Sequence, residues 1–440
     1  MTDTLTTLIQ RLDEQEPRAS LLDQYYAGTQ PMAFLAPEAK AALGNRLTTM
    51  SSNLCRVAVT ALSERLRVTG FTRGDAPDSA LWDAWNRNDL DQQTGIAHRE
   101  ALIHGRSFAL VWADQQGRSQ VTVESARQVA TLRDPATRDV VAAVKRWSTK
   151  DQHFATVFEP DRITRYVSAN GTAGWKTTEA LDNPFGVVPI VPLVNTDRLL
   201  DVDGRSEMSD LLPLVDALSK ILADMMVASE STARPRRWAT GLELEEREVL
   251  DDEGNPTGDM EAVNPIPESS KTMINENPDG KFGSLPGSDL AGYEAAVRLL
   301  TSQIMAVSSL PSHYLGVLSS QPPSADSLRA AEASLVAKAE ARQATFGRSW
   351  EQVARLMVAA DTGTDPESVD VAVKWADPGT RSEAQQADAT VKLYQSGLIP
   401  ASVALARLGY SDDEIAAIRT ARRAESLDAV GTNIESLVNG

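Results

Sequence analysis

Cysteine is nearly absent from this chain: Cys55 alone in 440 residues. One thiol cannot close a disulfide within a chain, so no disulfide framework is expected. Set in an apolar helical pattern, Cys55 reads as a small buried hydrophobe, and synthesis in a reducing compartment is expected. Histidine is scarce too, with only His98, His104, His153 and His313. His98 and His104 do not have the i, i+4 spacing of a zinc pair. Asp251, Asp252 and Glu253 match no calcium loop and read as a solvated turn. Bases are outnumbered, 43 Lys and Arg against 61 Asp and Glu for a net charge of −18. That excludes a broad basic face built to grip nucleic acid. No apolar run approaches the roughly 18–20 residues of a membrane span. The opening Met-Thr-Asp-Thr has no basic and then apolar segment, so no secretory leader is expected. There is no G-x-x-x-x-G-K-[ST] loop, no G-x-G-x-x-G after a strand and no G-x-S-x-G elbow. These absences agree: no enzyme, no cofactor and no metal site is expected.

What is present is enough apolar surface, 42% of residues, for real cores, with aromatics at only 5%. The length suggests two to four domains. The chain is organised around residues 204–360, where two amphipathic helical patterns bracket an acidic insert and a third, longer one follows. The first pattern, 206–232, runs from Met208 through Leu211, Val215, Leu218, Leu222 and Met225. The second, 286–308, runs Leu290, Tyr293, Val297, Leu300, Ile304 and Val307. Steps alternating three and four mark helices packed lengthwise against others. Each seam is too short for a free-standing coiled coil, so both are expected as neighbours in one bundle or ring. Pro213 is tolerable only in a first turn, which favours Asp210 as the cap.

Upstream, Leu5, Leu8, Ile9 and Leu12 form a helical stripe that Pro17 should break before a second stripe at Leu21, Leu22, Tyr25 and Tyr26. A helix is expected over 38–66, ended by Gly70. Two more are expected over Asp78–Leu90 and Asp91–Gly105. The period then changes to two. Phe108–Trp112 and Val121–Val123 predict a hairpin, followed by strands at 127–133, 139–148, 153–159 and 162–168. Residues 187–194 carry Pro189 and Pro192, which fits an edge strand.

The insert, 233–285, holds no helical period. Residues 238–244 read as a strand, and 241–250 with 258–266 as a hairpin. Nine acids, among them Glu245, Glu246, Glu248, Asp251 and Asp252, face one base, Arg247, across 243–261. Such an insert is either a solubilising loop or a docking surface. Arg234, Arg236 and Arg237, where the first pattern ends, cap its dipole, pair with the acidic insert of a neighbour or touch nucleic-acid phosphate. After the second pattern comes a Ser/Pro/Gln-rich loop, 309–325. Ser324 or Asp326 should cap the third helix, which ends at Gly363. A strand at Val369–Trp375 and helical pieces from Thr380 complete the chain.

The order of certain phrases carries a resemblance. They are HGRSFALVW (104–112), NPFGVVPIVPLVN (183–195), GRSEMSDLLPLVDALSKILADMM (204–226), SSLPSHYLG (308–316) and SADSLRAAEASLVAKAEARQATFGRSWEQV (324–353). Together they resemble the portal proteins of long-tailed bacteriophages, in the branch of Gram-positive and actinobacterial hosts, over essentially the whole chain. The resemblance implies an α+β, mainly helical portal fold, assembled as a ring, usually of twelve copies, at one capsid vertex. It implies a wing (1–205 and 326–379), stem helices (206–232 and 286–308), a clip (233–285), a tunnel loop (309–325) and a crown (380–440). It further implies a DNA conduit for packaging by a separate terminase and for ejection. Partners would be the major capsid protein, the terminase large subunit, a head-completion adaptor and a scaffolding protein, with no membrane. The place would be the virion, after assembly in the host cytoplasm. Carried onto this sequence, Leu310, His313, Tyr314, Ser320 and Gln321 are tunnel candidates. Arg236, Arg237, Glu245, Glu246, Glu248, Asp251 and Asp252 are clip candidates. A loop with no fixed charge apart from His313 suits a sliding polyanion, which basic contacts would brake. The competing reading is a helical ring or scaffold of a virion without a DNA channel.

Overall fold

The computed structural model describes residues 3–31, 51–74, 76–171, 174–233, 237–241, 245–250, 256–263, 279–284, 290–316, 324–379, 383–410 and 414–423. In chain order its elements are α1 (Asp3–Ala27), α2 (Leu54–Ser63), β1 (Val68–Arg73), β2 (Ala76–Pro77), α3 (Ser79–Arg87) and α4 (Leu90–His104). Strands follow as β3 (Arg106–Ala113), β4 (Ser119–Ser125), β5 (Val129–Arg133), β6 (Val140–Ser148), β7 (His153–Phe158), β8 (Arg162–Ser168), β9 (Lys176–Asp182) and β10 (Ile190–Val194). Then come α5 (Leu212–Ala233), β11 (Arg237–Thr240), β12 (Glu245–Leu250), β13 (Pro256–Val263), β14 (Lys281–Ser284), α6 (Ala291–Ser308), α7 (Ala325–Thr362), β15 (Ala372–Trp375), α8 (Glu383–Gln395) and α9 (Ala401–Arg407). This is an α+β fold, with two compact units: 1–323 with 334–376, and 324–333 with 377–440.

The first unit is built on three sheets that position the central helices. A five-stranded antiparallel meander runs β5-β6-β7-β8-β9, and a second sheet has the order β10-β3-β4. β10 is an edge strand, as its Pro192 requires, and that proline sits opposite Phe108. β15 returns to pair antiparallel with β1, so the chain after α7 joins the N-terminal part in one sheet. The scarce aromatics are concentrated here. Phe71, Trp82, Trp85 and Trp350 pack in a chain, Trp82 stacked on Trp85 and Trp350 edge-on to it, and His98 lies flat on Phe346 at 5.3 Å between ring centroids. His98 is fully buried and saturated: its Nε2 accepts from Trp350 Nε1 at 2.8 Å, and its Nδ1 lies 3.0 Å from the Leu66 carbonyl. Burial drives its pKa down to about 3, so the ring is neutral.

Several expectations are corrected. Pro17 does not break α1, which is continuous. Its first stripe is buried against β5–β8, while Leu22 and Tyr25 join the main core. Burial at both ends outweighs the roughly 3 kcal/mol that an interior proline costs. Of the helix expected over 38–66, residues 51–66 are described and the helix is Leu54–Ser63; 32–50 lie outside the described residues. Gly70 is no cap, because it lies inside β1 opposite Lys374. β9 and β14 were not read from the sequence. β9 is almost wholly exposed, so it has no apolar alternation to show. α5 starts at Leu212 rather than near Asp210, with Pro213 in its first turn.

The second unit holds the start of α7, then α8, α9 and a helical stretch over 414–423. Ser324 caps α7, its Oγ accepting from Ser327 N at 3.2 Å. Thr390, Ala404 and Ile415 are buried.

Candidate functional site

The two seam helices meet different surroundings. α5 and α6 pack against each other. On α5's line, Leu211, Val215 and Leu218 are buried in the main core, whereas Leu222 and Met225 are half-buried. On α6, Ile304 is buried, Tyr293, Val297 and Leu300 are half-buried, and Leu290 is exposed. A second face of α6 carries Leu299 at 62% and Val307 at 46% exposure.

The insert between them is a β structure in every described part. β11 leaves α5 and pairs with β14, which leads back to α6, Trp238 opposite Gly283. A Cβ on Gly283 would come within 2.4 Å of the Trp238 indole, so glycine is what lets the ring cross the ladder. Between these strands β12 and β13 form a hairpin, with Arg247 opposite Glu261 and Glu246 opposite Ala262. Residues two apart on a strand share a face. Glu246 and Glu248 therefore line one exposed face, and Arg247 is set against Glu261 on the other. Glu245 opens β12, and Arg237 lies in β11 rather than at a helix end. Asp251, Asp252, Arg234 and Arg236 lie outside the described residues.

The loop after α6 holds its first part close to the body. Leu310 is 4% exposed within the main core, so it departs from the tunnel expectation: a side chain packed there cannot line a channel. Tyr314 is half-buried, its hydroxyl accepting from Arg65 Nη1 at 3.0 Å. His313 is exposed with its ring 4.8 Å from that of Tyr314. Ser320 and Gln321 lie outside the described residues.

At the foot of α5 is a knot that the sequence reading missed, although its residues lie in the phrases that carried the resemblance. Gly105 closes α4 with φ of +89° and Gly204 has φ of +79°. Their backbones touch: a Cβ on Gly204 would stand 2.0 Å from the Gly105 oxygen. Both positions demand glycine, for conformation and for space. Asn195 binds across them, its N donating to the Gly105 oxygen at 2.7 Å and its Nδ2 to the Arg205 oxygen at 2.7 Å. Glu207 N donates to the Leu102 oxygen at 2.9 Å. α7 reaches in with Lys338, 2.6 Å from Glu207 Oε2, and Arg342, 2.8 Å from Glu207 Oε1. The Arg342 fork also grips Asp197 at 2.6 and 2.9 Å. Burial opposes ionisation of Glu207, but Lys338 and Arg342 overcome it and hold its carboxyl below the usual range. The bond from Arg342 likewise lowers Asp197. The signal was in the sequence as charge inside an apolar stripe, at Lys338 and Arg342, but only the fold shows what they meet.

No group of His, Cys, Asp and Glu among the described residues is arranged to hold a metal. Among the described residues no helix is long and apolar enough to cross a membrane.

Comparison with known proteins follows the same lines. Residues 5–427 match the family described as phage portal protein, SPP1 Gp6-like. The chain is 31% identical over 379 residues to the portal protein of Mycobacterium phage L5, covering 82% of this chain and 76% of that one. It is 30% identical over 375 residues to the portal protein of Mycobacterium phage D29, covering 81% and 75%. Among solved structures, the neck of an empty gene transfer agent particle aligns over 87% of this chain and 96% of the other, with TM-score 0.50 and 12% identity. That likeness concerns the fold. Over nearly its full described length, the chain belongs to the SPP1 Gp6-like family of phage portal proteins.

Proposed function

We propose that this chain is one subunit of a ring, of twelve copies, that forms the DNA conduit at one vertex of a phage capsid. The genome enters through it, driven by a separate terminase, and later leaves through it. The chain itself carries out no catalysis. The observation that carries the reading is the uncovered apolar face of α6, at Leu299 and Val307, on a helix whose partner α5 is anchored in its own core. Such a face is stable in water only when something covers it, and a sibling placed by a heterologous contact does so around a closed ring.

In this reading α5 and α6 are the stem. Their seam residues, Leu211, Val215, Leu218, Leu222, Met225, Leu290, Tyr293, Val297, Leu300 and Ile304, pack within and between copies. Residues 1–205 with 326–379 form the wing, supported by the β1–β15 pairing. Residues 380–440 form the crown, supported by the separate unit that includes 377–440. The 233–285 insert is the clip, offering Arg236, Arg237, Glu245, Glu246, Glu248, Asp251 and Asp252 to the terminase large subunit and then to a head-completion adaptor. Supporting this, the described acids Glu246 and Glu248 stand exposed on one face of a hairpin. The 309–325 loop borders the channel through His313, Tyr314, Ser320 and Gln321. The major capsid protein and a scaffolding protein meet the particle as it assembles in the host cytoplasm, and the ring ends in the virion.

Native mass spectrometry of the purified chain, with end-on negative-stain images, tests the proposal. A single large species and a wheel with a central hole are expected. A lone compact chain under all conditions, virion included, would overturn it.

A further inference from the structure

The most exposed large hydrophobic residues on the described chain are neither on the stem nor on the insert. Leu199 is 78% and Leu200 88% exposed, at the tip of the turn that joins β10 to the foot of α5. This tip is not loose. At one base Asp197 is held by the Arg342 fork, and at the other Asp203 is held by Arg11 at 2.7 Å and Arg106 at 2.5 Å. Within it Asp201 N donates to the Arg198 oxygen and Gly204 N to the Asp201 oxygen. Burial works against the Asp203 carboxylate, yet Arg106 and Arg11 hold it ionised below the usual range. Two ion pairs, with Arg342 and Arg106 buried and both carboxylates still reaching water, thus fix a turn whose product is a pair of leucines in water. Holding an apolar knob rigidly in solvent contributes nothing to this chain's own stability. It does lower the entropy lost when the knob is received elsewhere.

A receiver of suitable chemistry exists on the same chain. On the β5–β9 sheet, Ala130, Val144, Ala155 and Val157 face α1. The opposite face is covered at one end by Phe108 and Ile190. At its other end it opens into a groove of about 990 Å³, lined among others by Trp112, Trp147, Phe154, Thr156 and Leu181. Trp147 and Phe154 stack at 5.5 Å as its floor. The charges of the groove cancel locally: Lys145 meets Glu124 and Arg165 meets Glu179, each at 2.5 Å. A groove with aromatic walls and no net charge selects an apolar side chain rather than an anion. Arg165 and Glu179 stand half-exposed on its rim, and Arg198 and Asp201 bracket the leucines, so the signs can be matched pair by pair.

The chain cannot serve its own groove. Asp203 is tied to Arg11, which also donates to the Thr131 oxygen, and Arg11 belongs to α1 on the covered face of the sheet. The groove opens on the other face, and only five residues lie between the clamps at Asp197 and Asp203. Knob and groove can therefore meet only between two molecules, and as different surfaces they make a head-to-tail contact, the kind that closes into a ring.

We propose that Leu199 and Leu200 of one copy seat in the Trp112–Trp147–Phe154 groove of the next, forming a ring contact separate from the stem. This rests on the ring reading above, and the test separates the two. Cys55 is fully buried with its thiol pushed up to about 12, so introduced cysteines react against a silent background. In Leu200→Cys with Arg165→Cys, a short bis-maleimide should give a ladder of covalent dimers and higher oligomers on a denaturing gel, while each single variant gives none. Leu199→Ser with Leu200→Ser, both exposed and so harmless to folding by circular dichroism, should lower the ring fraction at least tenfold by native mass spectrometry. Undiminished rings from that variant, with no ladder from the cysteine pair, would overturn the contact and leave the ring standing. A covalent dimer from Leu200→Cys alone would mean tip meets tip and would also overturn it. Wild-type chain that never exceeds a monomer would remove the ring itself.

Discussion

α5 and α6 carry nearly the same apolar spacing, yet they end in different environments. α5 lays Leu211, Val215 and Leu218 into the core of its own chain, and a knot of buried charge fastens its foot. α6 buries Ile304 and leaves Leu290, Leu299 and Val307 to solvent. A seam in a sequence states that a helix face must be covered; it does not state by whom. Here one helix is held by its own chain and the other leaves part of its apolar surface uncovered. Covering these partly exposed side chains in an assembly contributes a fraction of the roughly 1.5–3 kcal/mol of burying a fully exposed leucine or valine.

The comparison breaks most severely at the foot of α5. Arg342→Leu removes one of two cations on the buried Glu207 and the fork that grips Asp197. A loss of about 3–5 kcal/mol is expected in urea denaturation. That is a large share of a domain's marginal stability. An unchanged midpoint would detach α5 from the knot. Next, Leu218→Ala should cost about 2–5 kcal/mol in the same measurement, because the cavity opens inside one chain. The counterpart on α6, Leu299→Ser, sharpens the contrast. It should shift single-chain stability by no more than about 0.5 kcal/mol while lowering the ring fraction in native mass spectrometry. A large stability loss there would mean that α6 is covered by its own chain after all.

Between these in size lies a pH effect on the core that anchors α5. His98 is neutral when folded, with a pKa of about 3, and titrates near 6.5 when unfolded. Between those values the unfolded chain binds the extra proton. Stability is therefore full above pH 6.5 and falls as pH drops, by about 1.4 kcal/mol per unit from this group. His98→Phe should flatten denaturation midpoints measured from pH 6.5 to 5, at the cost of leaving Trp350 Nε1 without its acceptor. The carboxyls of Glu207, Asp197 and Asp203 are shifted below their ordinary values, so their contribution stays intact until pH falls below about 4.

Much of the fold was legible because period is a local signal. The β3–β4 hairpin, the strands β5–β8, the edge position of β10 and the three long helices all announce themselves through apolar spacing and turn residues. What was not legible is non-local. Pro17 reads as a break until both halves of α1 are seen to be buried. Gly70 reads as a cap until β15 is found beside it. Leu310 reads as loop lining, since nothing nearby in sequence reveals that the main core receives it. The knot was the least legible part. Its members, Gly105, Asn195, Gly204, Glu207, Lys338 and Arg342, come from three distant stretches and share no local pattern.

The touching backbones of Gly105 and Gly204 have an evolutionary consequence. Neither position can drift alone: any side chain at one collides with the main chain of the other, so a neutral path away from the pair does not exist in single steps. A descendant lineage that abandons either glycine must reroute the whole connection between β10 and α5.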